Sequence, residues 1–163
     1  MADGCLEGIT GNGPDDVWIY GEASFVAGSC FGLRVYHYDG RTMKDRTEEV
    51  SLAGVGFLNR IVSAGDGSAW MLGSLGTIRW DGARFSRLPA LLDVKDAWAA
   101  SSKDVWFVSD RIHHWDGSQL EIVTSSSPAG GFSVISGSKS GDFWVGASNE
   151  GLLRSRRPLV SPR

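Results

Sequence analysis

The sequence contains little of what defines several common protein classes. It has two cysteines, five prolines and three histidines in 163 residues, and 21% of its residues are charged. Cys5 and Cys30 can form at most one bridge, which excludes a disulfide framework, and two thiols do not make a zinc site without nearby histidines. We expect both cysteines to be small, buried or half-buried unpaired side chains. No cofactor and no metal ion is predicted.

Long apolar runs are also missing. None approaches the roughly 18 residues that a membrane span requires, and no signal peptide is visible at the N-terminus. This pattern predicts a cytoplasmic protein that does not enter a membrane, or an extracytoplasmic one if the chain is a fragment of a longer protein. The formal net charge of −3 gives no general attraction to nucleic acid. A small basic C-terminal tail is the one exception, and we expect it to be solvated; it contains Arg154, Arg156, Arg157 and Arg163.

Glycine and aromatic residues are plentiful. The chain has 22 glycines, seven tryptophans and seven phenylalanines, and 42% of its residues are hydrophobic. That much glycine argues against a coiled coil, and that much apolar material argues against disorder. The composition predicts a β-rich globular domain.

A pattern recurs four times along the chain. Each repeat contains an aspartate or serine followed by an apolar residue and a tryptophan, and the four tryptophans are Trp18, Trp70, Trp106 and Trp144. In the first three repeats an aromatic residue followed by Asp-Gly comes after the tryptophan, with the glycines at Gly40, Gly82 and Gly117. The fourth repeat has Arg154-Ser155 where the others have Asp-Gly. We place the repeats at about residues 6–50, 58–89, 93–124 and 132–160, within one domain spanning residues 1–163.

Each repeat predicts four short antiparallel strands. The tryptophan segment is an apolar run typical of a buried strand, and Asp-Gly favours a tight hairpin because it tolerates positive φ angles. Units of four strands repeating about every 40 residues are typical of β-propeller blades, which stack their apolar faces on one another. We therefore predict an all-β propeller of four four-stranded blades, either a four-bladed ring or a partial propeller completed by another chain.

The repeats resemble those of bacterial β-propeller repeat proteins, whose consensus runs Asp-Val-Trp-x-x-Gly and then Gly-x-Ile-x-x-Trp-Asp-Gly. They are also similar to the propeller repeats of two-component regulators, through residues 61–70 and 151–154. The first of these stretches approaches the Asp-box pattern, although Asp66 stands one position late. The resemblance covers residues 6–155. It implies the fold and leaves the function open, since propellers serve many functions.

The repeated positions favour structural roles. The four tryptophans should be core residues, and the three Asp-Gly glycines should lie in hairpin turns. The aspartate two residues before a tryptophan (Asp16, Asp104 and Asp142) should cap the turn that leads into its strand. His37 and His114 share one polar repeat position with Arg79, which favours exposed scaffold, whereas His113 breaks the repeat and is predicted to be a hydrogen-bonded core residue.

No catalytic motif is recognisable, so the sequence predicts a non-enzymatic scaffold that binds another protein as part of a larger assembly. An insertion over about residues 21–32 and the stretch over residues 43–57 lie outside the repeat pattern, and loops of this kind commonly carry binding sites. Phe25, Phe31 and Phe57 are therefore the candidate partner-binding residues. The expected partner is a protein or a second copy of the chain. The alternative is a glycan-binding lectin in which Trp80, Trp98 and Trp115 stack on sugar rings.

Overall fold

The structure is a computed structural model that describes residues 5–26, 29–88, 91–124, 129–138, 142–147 and 151–155, without the side chains of residues 24–31 and 155. Its described strands form four antiparallel sheets, each built from strands that follow one another in the chain. We name these sheets blades 1 to 4. Among the described residues, no helix is long and apolar enough to cross a membrane.

The described residues contain fifteen strands in the four blades. Blade 1 contains β1 (Cys5–Gly13), β2 (Asp16–Val26), β3 (Ser29–Tyr38) and β4 (Met43–Asp45), and blade 2 contains β5 (Leu58–Ser63), β6 (Ala69–Gly73), β7 (Thr77–Trp80) and β8 (Phe85–Leu88). Blade 3 contains β9 (Asp96–Ser101), β10 (Asp104–Val108), β11 (Ile112–Trp115) and β12 (Leu120–Ile122), and blade 4 contains β13 (Phe132–Gly137), β14 (Phe143–Ala147) and β15 (Gly151–Ser155). The end of the fourth predicted repeat, over residues 156–160, lies outside the described residues.

The two irregular segments of the first repeat have different structures. The insertion lengthens the hairpin between β2 and β3, whose pairing continues from Glu22 with Leu33 to Val26 with Ser29. The second segment contains α1 (Thr47–Leu52), a helix of six residues that the sequence analysis did not predict. Val50 and Val55 of this connection are fully buried, so it is anchored in the core.

The chain divides into two compact units after Val94, and each unit holds two blades packed face to face. In the first unit, Trp18, Tyr20 and Val35 of blade 1 belong to one apolar cluster with the buried residues of blade 2, which are Ile61, Ala69, Met71, Ile78 and Trp80. In the second unit, Trp106, Val108 and Ile112 of blade 3 cluster with blade 4 residues that include Phe132, Ile135, Phe143 and Val145. The tryptophan-bearing face of one blade thus packs on the opposite face of the next.

Three of the four repeat tryptophans are buried. Trp18 and Trp70 are fully enclosed and Trp106 is 9% exposed, but Trp144 is 42% exposed. Trp144 shares its face of blade 4 with Val134 and Leu152, which are also exposed, so this whole face is open to solvent.

The Asp-Gly turns adopt the geometry that the sequence predicts. Gly40, Gly82 and Gly117 have φ angles of +87°, +97° and +100°. The aspartate before each glycine accepts hydrogen bonds from backbone N–H groups further along its turn, as Asp81 does from Ala83 and Arg84 at 2.9 Å each. These bonds stabilise the ionised carboxylate and are the main cause that lowers the pKa of Asp81 and Asp116, whereas the pKa of Asp39 is lowered chiefly by its contact with the ammonium of Lys44 and then by the same kind of backbone bond.

The aspartates before the tryptophans hold side chains on the next strand, a role that the sequence analysis did not assign. The imidazole Nε2 of His37 lies 2.6 Å from Asp16, that of His114 lies 2.9 Å from Asp104, and Arg154 donates to Asp142 at 3.0 Å.

Each partner also lies against the tryptophan of its own blade. His37 stacks on Trp18 with 4.0 Å between ring centroids, His114 stacks on Trp106, and the guanidinium of Arg154 lies 5.2 Å from the ring of Trp144. The strand pairing places Arg154 opposite Trp144, just as it places His37 opposite Trp18. Arg154 therefore corresponds to His37 and not to the aspartate of the Asp-Gly pair, with which the sequence analysis aligned it.

Two further expectations differ from the structure. We expected His37 to be exposed, but it is buried, with 7% of its surface accessible. It lies between Asp16, the ring of Trp18 and the ring of Trp80 of blade 2. Cys5 is disulfide-bonded, which corrects the expectation of an unpaired thiol. The side chain of Cys30 lies outside the described part of the chain.

Candidate functional site

A cavity of about 410 Å³ lies in the first unit, where the β2–β3 and β6–β7 hairpins of blades 1 and 2 meet the connection that contains α1. We name it the hairpin-end cavity. Its walls are Glu7, Gly21, Glu22, Gly32, Leu33, Ser51, Gly56, Phe57, Leu58, Ser74 and Leu75. The volume is within the range of small-molecule sites, roughly 300–1,000 Å³.

One wall of the cavity is held by hydrogen bonds between residues 55–57, which precede β5, and the β6–β7 hairpin. The backbone N–H of Phe57 donates to Oγ of Ser74 at 3.0 Å, and the N–H of Ser74 donates to the carbonyl of Phe57 at 2.9 Å. The N–H of Leu75 donates to the carbonyl of Val55 at 3.1 Å. These bonds fix residues 55–57 against the β6–β7 hairpin, so the backbone of both segments is held in place at this wall of the cavity.

A glycine makes that close approach feasible. Gly56 has a φ of +73°, and a Cβ atom there would lie 2.6 Å from Oγ of Ser74 and 2.7 Å from Cγ of Leu75. A larger residue at position 56 is excluded both by the positive φ angle and by the lack of space beside Ser74 and Leu75. The sequence alone did not single out this glycine because it belongs to no repeated motif.

The opposite wall carries two carboxylates. Glu22 lies on β2, paired with Cys5 of β1, and the pairing of these strands shifts between Leu6 and Gly8. Glu7 is therefore the extra residue of a β-bulge, a feature that re-aims a side chain and is common beside active sites. Glu22 is half-buried and Glu7 is exposed, so the two acids differ in their access to water.

Helix α1 is fixed beside the cavity by its own contacts. Thr47 accepts a hydrogen bond from the N–H of Val35 at 3.0 Å, and Arg46 forms an ion pair with Glu49 at 2.6 Å. The guanidinium of Arg46 also lies 4.9 Å from the ring of Trp80. These contacts and the buried Val50 position Ser51 at the cavity wall.

The candidate partner-binding residues are only partly described. Phe57 is 80% exposed at the cavity wall. The side chains of Phe25 and Phe31 lie outside the described part of the chain. Both irregular segments of the first repeat contribute to the cavity, Glu22 among them, whereas Glu7 and Ser74 carry no sequence signal that would have identified them.

The candidate sugar-stacking residues lie elsewhere. Trp80 is 4% exposed inside the blade 1–blade 2 core, which leaves no face for a sugar ring. Trp98 is half-buried, and its ring packs directly on the backbone of Gly137. A Cβ atom added to Gly137 would overlap this ring. Trp115 is half-buried on β11. The structure does not bring these three residues together at one described site.

Comparisons with known proteins identify the fold. No family model matches the chain, and no curated protein matches it. Solved structures that match include selenomethionine-substituted virginiamycin B lyase from Staphylococcus aureus and a streptogramin B lyase, each with a TM-score of 0.53 and 13% identity. The matches cover 96% of this chain but only 57% and 56% of those chains. At this identity the likeness establishes the β-propeller fold, in agreement with the prediction.

The same comparison overturns the functional prediction. We predicted a non-enzymatic scaffold, with a lectin as the alternative, but both solved neighbours are named as lyases and are therefore enzymes. The lack of a linear catalytic motif was weak ground for that prediction, because the residues of a catalytic site can come from separate segments of the chain and need no fixed spacing.

Proposed function

We propose that this chain forms part of a β-propeller enzyme of the lyase type and that its reactant binds in the hairpin-end cavity. One observation carries the proposal: a cavity of ligand size holds two carboxylates at its wall, in a fold that it shares with two lyases. Because the chain spans a little over half of those proteins, the complete reaction site includes further residues under this proposal.

The chemistry of a lyase assigns roles to the two carboxylates. In an elimination, a base removes a proton from carbon, the C–H electron pair becomes a double bond, and the leaving group departs with its own bonding pair. Glu22 is the candidate general base, since its partial enclosure reduces competition from water. Glu22 then holds that proton and can donate it to the departing atom, directly or through the carboxylate of Glu7 on the bulge beside it.

The remaining walls suit a reactant with an apolar body. Leu33, Leu58 and Leu75 line the cavity together with the exposed ring of Phe57. Apolar contacts of this kind supply binding energy, while a few polar groups such as Ser51 and Ser74 fix orientation.

The test uses the substrate class that the neighbours' names give. The loss of virginiamycin B is followed by liquid chromatography with the wild-type chain and with Glu22→Gln, which keeps the shape of the side chain and removes the base. We expect Glu22→Gln to lower kcat by about 10²- to 10⁴-fold, the usual contribution of a general base.

The matched control is Glu121→Gln, which removes an exposed carboxylate on β12 that does not line the cavity. It should leave the rate unchanged. A wild-type rate no higher than that of the protein-free solution, or a Glu22→Gln rate equal to that of the wild type, would contradict the proposal.

A further inference from the structure

Every described contact between blades pairs the same two sheet faces. We call the face that bears the repeat tryptophan the forward face and the opposite one the rear face. The forward face of blade 1, with Trp18 and Tyr20, packs on the rear face of blade 2, with Met71 and Ile78. The forward face of blade 3, with Trp106, packs in the same way on the rear face of blade 4.

An aromatic residue of the following blade packs on the tryptophan of the stacked pair in each of these contacts. The ring of Trp80 lies 5.9 Å from that of Trp18 and 6.1 Å from that of His37. In the second unit, the ring of Phe143 lies 4.5 Å from that of Trp106. A forward face therefore offers an aromatic–cation or aromatic–imidazole stack, and a rear face supplies the ring that closes over it.

The forward face of blade 4 is built in the same way but is open to solvent. Its exposed residues are Val134 at 53%, Trp144 at 42% and Leu152 at 64%. Arg154 is already fixed over Trp144 by its bond to Asp142. Ordered apolar surface of this kind is typical of a surface that another element covers.

The rear face of blade 1 is open too, and its strand pairing matches that of blade 2. Ile9, Ile19 and Tyr36 face one another across β1, β2 and β3, as Ile61, Met71 and Ile78 do across β5, β6 and β7. Val17 pairs with Tyr38 where blade 2 pairs Ala69 with Trp80. Ile9 is 70% exposed, and Met43 at the edge of this face is 51% exposed.

We propose that the chain self-associates head to tail, with the forward face of blade 4 in one copy packed on the rear face of blade 1 in a second copy. Tyr38 holds the position of Trp80, so in the second copy it covers Trp144 and Arg154 of the first, where its ring contacts the guanidinium. Unlike faces meet in both internal contacts, which favours this heterologous pairing over two identical faces. The proposal is independent of the proposed activity.

The test measures mass in solution by sedimentation velocity over a range of protein concentrations. The wild type should reach at least twice the 17.5 kDa of one chain at micromolar concentration. Trp144→Glu blocks the forward face of blade 4, and Ile9→Glu blocks the rear face of blade 1. Each change places a charge in the apolar contact and should weaken association by about tenfold or more.

Mixing the two variants distinguishes head-to-tail contact from other kinds of association. Each variant keeps one intact face, so a mixture of Trp144→Glu and Ile9→Glu should form a mixed dimer that neither forms alone. Leu52→Glu is the control, because Leu52 is 81% exposed on α1 and lies on neither face. It should associate as the wild type does.

Three results would overturn the proposal. If the wild-type protein keeps a mass of 17.5 kDa over a 100-fold range of concentration, the two faces do not bind each other. Association that survives Ile9→Glu shows that identical faces meet or that another surface is used. Variants that keep the wild-type circular dichroism spectrum yet fail to associate when mixed show that the two faces do not bind each other.

Discussion

At the scale of single residues, the Asp-Gly turns allow a clean test of backbone strain. Gly82 has a φ of +97°, and a Cβ atom there would meet nothing within 4 Å. Gly82→Ala should therefore cost about 1–2 kcal/mol of unfolding free energy through backbone conformation alone. Gly13→Ala is the matched control, because its Cβ atom would also be in open space and its φ is outside the positive region. Urea unfolding should show that only Gly82→Ala lowers stability; equal effects would contradict the turn assignment.

His113 makes stability depend on pH. The side chain is buried on β11, and burial lowers the pKa of its imidazole from the ordinary value near 6.5. Below about pH 6.5 the unfolded chain binds a proton that the folded chain resists, so unfolding becomes more favourable as the pH falls. Above that pH, His113 is neutral in both states and contributes no pH dependence.

The corresponding variant is His113→Ile, since Ile78 stands at this position in blade 2. Thermal melts at pH 7.5 and pH 5.5 should show a smaller loss of stability on acidification in His113→Ile than in the wild type. Identical losses in the two proteins would contradict a buried neutral imidazole.

At the scale of strands and blades, one buried carboxylate joins blade 3 to blade 4. Asp96 on β9 is 3% exposed, and it accepts hydrogen bonds from the N–H of Ala97 at 2.8 Å and from the N–H of Ile135 on β13 at 3.0 Å. Asp96→Ala leaves the N–H of Ile135 buried without this acceptor, which should cost about 1–3 kcal/mol.

Asp96→Asn is the control within the same position, because its amide oxygen can still accept one of these bonds. Urea unfolding should rank the wild type above Asp96→Asn and Asp96→Asn above Asp96→Ala. If Asp96→Ala is as stable as the wild type, the strand contact does not depend on this carboxylate.

At the scale of the whole molecule, the two proposals use different parts of the first unit. The hairpin-end cavity lies at the β2–β3 and β6–β7 hairpins, whereas the rear face of blade 1 is the surface formed by Ile9, Ile19 and Tyr36. Covering that face removes exposed apolar side chains from water, and this burial drives association. The Glu22→Gln and Ile9→Glu variants therefore test catalysis and assembly separately.

The sequence by itself determined the blades. The repeated tryptophans and the Asp-Gly pairs are local signals: each of the four tryptophans lies on the second strand of its blade, and each of the three Asp-Gly pairs lies in the turn between the third and fourth strands. Such signals suffice because strand pairing within a blade joins neighbouring segments, and the positive φ of Gly82 depends only on its own turn.

Only the tertiary structure decided the site and the exposed faces. Glu7, Glu22, Phe57 and Ser74 lie far apart in the chain and share no motif, so their meeting at one cavity depends on how blade 1, α1 and blade 2 pack. Trp18 and Trp144 occupy the same repeat position, yet one is enclosed and the other is 42% exposed. The difference is physical: a side chain's burial depends on the face that packs against it, and a repeated sequence does not reveal which of its faces has a neighbour.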